Sequence, residues 1–197
     1  MSSRRRVGVL ALQGDFREHL AALRATEVEG VPVRLATDLE NVDALILPGG
    51  ESTTMARLMQ PALRDSIQRR VAAGMPVMGT CAGMILMARD VQDGRMDQEP
   101  LQLMDIGVRR NAYGRQIDSS IREGRFGDAP IEMVFIRAPR FERLGPGVEV
   151  VATEGDDPVV VRQGKIMAAT FHPELSDDTR IHKAFLDLIG NGLHRRA

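Results

Sequence analysis

One stretch, Val77-Met78-Gly79-Thr80-Cys81-Ala82-Gly83-Met84, constrains the chain more than any other. The apolar run Met75-Pro76-Val77-Met78 reads as a strand, and residues 84–89 read as a helix. Cys81, the one cysteine of the chain, lies between them in the pattern G-x-C-x-G. A turn from strand directly into helix is so tight that the residues two before and two after its centre approach backbone closely. Only small residues fit there, and Gly79 and Gly83 occupy both places. The turn pushes its central side chain outward. It also sets the sulfur at a helix N-terminus, where the dipole favours thiolate over thiol. A lone intracellular cysteine is otherwise usually a small buried hydrophobe. A chemical role therefore needs a base, an orienting acid and an oxyanion hole from the rest of the chain.

The flanking pattern is α/β. Residues 7–12 form a near-continuous apolar run, as in a strand buried on both faces of a parallel sheet. A turn at Gln13-Gly14-Asp15 leads to helical spacing over residues 16–25. Strands are expected over residues 31–35, near a sheet edge because of Pro32, and over residues 42–47. The latter runs into Pro48-Gly49-Gly50-Glu51-Ser52-Thr53-Thr54, followed by a helix over residues 55–73, broken near Pro61. Beyond Asp93, loop signals alternate with short β-type runs at 106–110, 116–121, 131–136, 148–152, 159–162 and 166–171. These predict antiparallel strands added to a parallel core flanked by helices. Residues 178–193 close the chain as an amphipathic helix with Ile181, Ala184, Phe185, Leu188 and Ile189 on one face.

The chain of 197 residues is expected to form a single domain over residues 1–197. A formal net charge of -1 gives no global pull toward nucleic acid or membrane. The basic runs Arg4-Arg5-Arg6 and His194-Arg195-Arg196 read as solvated tails. A single cysteine rules out an internal disulfide and a Cys-rich metal site, which fits a reducing compartment. The apolar run after Arg6 is too short for a signal peptide, and no stretch approaches membrane-spanning length. A cytoplasmic location is expected.

Thr170-Phe171-His172-Pro173-Glu174 is the second informative stretch. His172 follows an apolar run and so lies at a strand end. Pro173 disfavours helical geometry at His172. In an extended segment residues two apart point the same way, so Glu174 can hold one ring nitrogen while the other takes a proton from a thiol. His19, His182 and His194 fall on predicted helices and read as surface or satisfied core residues. An oxyanion hole needs convergent backbone N–H groups. Ala82, directly after Cys81, offers one. The Pro48-Gly49-Gly50 loop, at the carboxyl end of a strand where open α/β sheets place ligands, offers another at Gly50. A phosphate cradle of Walker type is ruled out because no Gly-Lys-Ser/Thr follows.

P-G-G-E-S, G-T-C-A-G and F-H-P-E, in this order, resemble class I glutamine amidotransferases. Further blocks, Leu12-Gln13-Gly14 with Arg17-Glu18-His19, Arg110-Asn111-Ala112-Tyr113-Gly114-Arg115-Gln116 and Phe135-Ile136-Arg137-Ala138-Pro139, resemble the glutaminase subunits of pyridoxal 5'-phosphate synthase. The blocks run from Leu12 to Leu175. Ser119-Ser120 departs from the serine–aromatic pair common in that family, and the stretch 122–130 is short. The resemblance implies a Cys81-His172-Glu174 triad that releases ammonia from L-glutamine. It also implies glutamine contacts at Gly50, Glu51, Ser52, Arg110, Ile136 and Arg137. The partner it implies is a separate (β/α)8-barrel synthase subunit in a large hetero-oligomer. No metal or other cofactor is implied. The R-N-x-Y-G-R-Q and F-I-R-A-P blocks argue against the glutaminase of another pathway, such as imidazole glycerol phosphate synthase. The intact Cys81, His172 and Glu174 argue against a non-catalytic regulator on the same fold. Without the resemblance, the residues alone stop at thiol acyl transfer, as in a cysteine hydrolase of the same layout.

Overall fold

The computed structural model describes residues 5–94, 99–110 and 119–190. The first half alternates strand and helix: β1 (Arg6–Leu10), α1 (Phe16–Ala25), β2 (Glu29–Val33), α2 (Ala36–Leu39), β3 (Ala44–Leu47), α3 (Ser52–Leu58), α4 (Pro61–Ala72), β4 (Val77–Thr80) and α5 (Ala82–Met87). The second half is β-rich: β5 (Ala88–Gln92), β6 (Met104–Arg109), β7 (Ser119–Phe126), β8 (Ala129–Ile136), β9 (Arg140–Leu144), β10 (Glu149–Glu154), β11 (Asp157–Gln163) and β12 (Ile166–Ala169). A 3-10 turn at Pro173–Leu175 and helix α6 (Arg180–Asp187) follow.

The main sheet has the order β2-β1-β3-β4-β12-β11-β10-β7-β8, with β5-β6-β9 forming a second, three-stranded sheet. The strands from β2 to β12 run parallel. β2 is the edge strand, and its Pro32 has no N–H to give to a further neighbour. Central strands are apolar on both faces because both are covered. Val7, Val9, Ala44, Ile46 and Met78 pack in one core with Leu23 of α1 and Ile181 and Phe185 of α6. Leu10, Leu45, Leu47 and Val77 pack in the other with Met55 of α3, Leu63 and Ile67 of α4, and Met84 of α5. Phe185 is fully buried, so its replacement by alanine would cost about 3–5 kcal/mol.

Several elements depart from the sequence expectation. The run at 166–171 pairs antiparallel with β11 but parallel with β4, so β12 belongs to the parallel core. The helix expected over 84–89 starts at Ala82 and ends at Met87, where the chain turns into β5. α2, β5 and β9 were not expected. The final helix spans Arg180–Asp187 within the described residues. Arg6 is no solvated tail: it opens β1, and its Nε lies 3.2 Å from Glu29 Oε1. Arg4, positions 111–118 (most of the R-N-x-Y-G-R-Q block), positions 191–193 and His194-Arg195-Arg196 lie outside the described residues.

β8 is separated from β12 by three strands in the sheet order, yet Val134 accepts a hydrogen bond from the His172 N–H at 2.8 Å. The antiparallel extension therefore curls back. Its end at Ile136 walls the same carboxyl edge of the parallel strands on which Cys81 and His172 sit.

Candidate active site

Cys81 adopts φ 46° and ψ -105°, a left-handed conformation costing about 1–3 kcal/mol for a non-glycine residue. Its surroundings fix it from both sides. The Cys81 N–H donates to Ala169 of β12 at 2.9 Å, and the Cys81 carbonyl accepts from the Ile85 N–H at 3.2 Å. The two glycines are required by contact. A Cβ on Gly83 would lie 1.9 Å from the Leu47 carbonyl oxygen, and one on Gly79 would lie 2.5 Å from Met87 Sδ. The elbow expected from G-x-C-x-G is present. The sulfur is 3.8 Å from the Ile136 carbonyl oxygen.

His172 meets Glu174 by a different route from the one expected. His172 is non-helical, at φ -105° and ψ 82°, as the following proline demands. Beyond it the chain does not stay extended. The 3-10 turn folds Glu174 back, and its Oε1 lies 2.8 Å from His172 Nδ1. Asp15 reaches the same nitrogen, with Oδ2 at 3.4 Å. Burial pulls the His172 pKa down and is the largest single influence. The negative charge of Asp15 and of the Cys81 sulfur and the hydrogen bond to Glu174 together outweigh it and push the value up to about 12, while His172 Nε2 has no hydrogen-bond partner among the described residues. Burial holds Glu174 above the ordinary carboxylate range, although the bond to His172 works against this. Asp15, half-exposed and bonded to His172, is shifted downward. These three residues offer ligand atoms within 4.8 Å of one another, a grouping that can hold a cation. His172 Nδ1 is already engaged there by the hydrogen bond to Glu174 Oε1.

The glycine loop after β3 forms the facing wall. Its helix starts at Ser52, earlier than the expected residue 55, because Glu51 caps it. The Glu51 carboxylate accepts from the N–H groups of Thr53 and Thr54, at 3.2 and 2.8 Å, and from the Thr54 hydroxyl at 2.7 Å. Burial raises its pKa most, but these donors together bring it down to about 2. The Glu51 N–H donates to Gln13 Oε1 at 2.7 Å, and Arg110 Nη2 lies 3.3 Å from Glu51 Oε1. The Gly49 carbonyl accepts from the Asp15 N–H at 3.1 Å, which fixes the peptide that carries the Gly50 N–H.

A cleft of about 320 Å³ opens here. Gly50, Glu51, Ser52, Cys81, Ala82, Arg110, Ile136, Arg137 and His172 all line it, and Glu174 stands behind His172. Gln13 and Asp15, which the sequence reads as part of a turn and not as substrate contacts, line it as well. His19 and His182, read as ordinary helix residues, are fully buried against Glu174 and against each other. The signal for His19 was available: it stands four residues after Asp15, one helical turn further along the same face.

The SNO glutamine amidotransferase family matches residues 9–190. Pyridoxal 5'-phosphate synthase subunit PdxT of Nocardia farcinica is 52% identical over 196 residues, covering 95% of this chain and 87% of the relative. The protein of the same name from Mycobacterium avium is 50% identical, covering 93% and 96%. A crystal structure of a glutamine amidotransferase superposes with a TM-score of 0.88 at 49% identity, covering 93% of this chain and 98% of the other. A structure of PurLQS from Thermotoga maritima, at 17% identity and a TM-score of 0.70, shares the fold. The elbow, the Gly-Gly loop and the His-Pro-Glu turn thus stand in a chain that belongs to the SNO glutamine amidotransferase family.

Proposed function

We propose that this chain hydrolyses L-glutamine to L-glutamate and ammonia, as the glutaminase subunit of a pyridoxal 5'-phosphate synthase. The observation that carries the reading is the buried set of Cys81, His172 and Glu174 at one end of a polar cleft. The relatives' names supply the pathway. In this reading the Cys81 thiolate attacks the side-chain amide carbon of glutamine. The carbonyl electrons move onto oxygen, where the N–H groups of Gly50 and Ala82 receive the charge. When the tetrahedral species collapses, the C–N bond breaks and His172 gives its proton to the departing nitrogen. Ammonia leaves and a thioester remains. A raised His172 pKa suits this acid role. In the thioester Cys81 no longer carries charge, so one of the influences raising that pKa is gone. His172 then takes a proton from water, which cleaves the thioester and restores the thiolate–imidazolium pair. Glu174 orients His172 throughout.

Glu51 stays ionised and suits the α-ammonium group of glutamine. The forks of Arg110 and Arg137 suit its α-carboxylate. Ser52 and Ile136 complete the enclosure. The ammonia passes to a (β/α)8-barrel synthase subunit in a hetero-oligomer, and residues 1–197 act as one glutaminase domain in the cytoplasm. No helix among the described residues is long and apolar enough to cross a membrane. The test is ammonia release from glutamine with and without the synthase subunit. Release that needs Cys81 and rises with the synthase supports the reading, and a wild-type complex that releases none refutes it.

A further inference from the structure

We propose that His19 and His182 form a buried relay behind the candidate triad, in which His19 donates its Nε2 proton toward Glu174 and so fixes that carboxylate's position and charge. The proposal rests on the function given above. Glu174 Oε1 is committed to His172 at 2.8 Å. Its other oxygen, Oε2, is fully buried and has no well-aligned hydrogen bond among the described residues. His19 Nε2 lies 3.3 Å from it. The same nitrogen lies 3.1 Å from Thr80 Oγ1, at the end of the strand that carries Cys81. His19 Nδ1 lies 3.0 Å from His182 Nε2, so α6 supports α1 through a ring-to-ring contact. Both histidines are 0% exposed.

The tautomers follow from these contacts. Burial above all, with the nearby His172 charge, holds the His19 pKa well below 6.5, and burial holds His182 at about 4, so both rings are neutral. A neutral ring has one N–H. If Nε2 of His19 carried a lone pair, it would face a carboxylate oxygen at 3.3 Å, an arrangement of two acceptors. With the proton on Nε2, His19 donates toward Oε2 and Thr80. Its Nδ1 then accepts from the His182 Nε2–H. His182 Nδ1, which has no partner among the described residues, becomes a bare acceptor rather than a stranded donor. Every proton in the chain of contacts points toward Glu174. The aligned hydrogen bond of His19 Nε2 goes to Thr80 Oγ1, and Glu174 Oε2 is a second, electrostatic contact of the same nitrogen. The second contact stabilises the charge of a buried carboxylate, and through it the orientation of His172. His19 and His182 are positioning residues, since neither lines the cleft.

Glutamine hydrolysis by the complex with the synthase subunit reads this out. His19→Leu should lower kcat roughly tenfold to a hundredfold, as loss of a hydrogen bond to a charged group does, with KM little changed. Losing the donor raises the Glu174 pKa further. The acid limb of kcat should therefore move to higher pH by about one unit. His19→Gln, whose amide N–H reaches the place of Nε2–H, should recover most of kcat, and His182→Leu should lose less than His19→Leu. Nitrogen-15 shifts of the free chain should show His19 as a neutral Nε2–H ring that does not titrate between about pH 5 and 8. The relay is overturned if His19→Leu keeps the wild-type kcat and pH profile. It is equally overturned if His19→Gln is as poor as His19→Leu, or if His19 Nε2 carries no proton. The nitrogen measurement needs no variant, so a His19→Leu protein that fails to fold does not remove the test. If the wild-type complex releases no ammonia, the proposed function falls, while the ring-nitrogen shifts still decide the relay.

Discussion

Replacing Gly50 by alanine tests the oxyanion assignment where the backbone yields least. Gly50 has φ +143°, a region that L-residues rarely adopt. An added Cβ would lie 2.6 Å from Gln13 Oε1 and 2.8 Å from Gly14 Cα. The first neighbour is a side-chain end, but it already accepts the Glu51 N–H at 2.7 Å. The second is backbone, in the loop whose Asp15 N–H holds the Gly49 carbonyl at 3.1 Å. An alanine at this φ would cost about 1–3 kcal/mol before any clash. The protein would escape by turning the Gly49–Gly50 peptide or by displacing Gly14. Either movement takes the Gly50 N–H off its target. Loss of one oxyanion donor costs about 3–4 kcal/mol, a factor of roughly 10² to 10³ in rate. In the wild type the Asp15 N–H holds that peptide, so a rotation must break this hydrogen bond; two residues without Cβ otherwise allow it, and if the synthase subunit sets the productive orientation, the isolated wild-type chain should be slow. Steady-state ammonia release, measured against synthase concentration, checks both points. Gly50→Ala should lower the plateau by that factor and leave the half-saturating synthase concentration nearly unchanged. A Gly50→Ala plateau equal to the wild-type value would show that the Gly50 N–H stabilises nothing in the transition state. A lone wild-type chain at the stimulated rate would refute the switch.

His172→Asn should lose roughly 10² to 10⁴ in kcat, the range of general acid–base catalysis, by the same ammonia assay. Glu174→Ala should lose less, because Asp15 remains 3.4 Å from His172 Nδ1 and Val134 still holds the His172 backbone; the reverse order would overturn the assigned roles. The His172 pKa is raised by folding, so its contribution to stability is full below about pH 6.5 and declines as pH rises toward about 12. In urea denaturation the wild type's advantage over His172→Gln should therefore shrink with rising pH, and an advantage that grows would contradict the shift.

The parts of the site that could be read from sequence are those set by local turn grammar. Gly79 and Gly83 announce the elbow because a Cβ at either would strike Met87 or the end of β3. Pro173 announces a non-helical His172, although the 3-10 turn that brings Glu174 back was not legible, since two residues cannot tell a turn from an extended segment. The parallel pairing of β12 with β4 was hidden because it joins residues 166–169 to 77–80, while the local hairpin to β11 looks antiparallel. β9 was missed because only Phe141 among its residues is buried, which leaves no alternation to read. The burial of His19 was legible, since it shares the helical face of Phe16, Leu20 and Leu23, but its role was not: the contacts to Glu174 and His182 join α1 to the 3-10 turn and to α6, a tertiary fact that neither helix's own sequence contains.

In the proposed reaction Cys81 carries the acyl group. A glutamine-mimicking electrophile, followed by peptide mapping in a mass spectrometer, tests it most directly, because the chain holds one cysteine. A single adduct should form, on Cys81, which glutamine prevents and which parallels the loss of ammonia release. Cys81→Ala should be equally silent and Cys81→Ser nearly so, because a hydroxyl stays protonated where a thiol need not. An adduct on any other residue, or ammonia release that persists in Cys81→Ala, would contradict it.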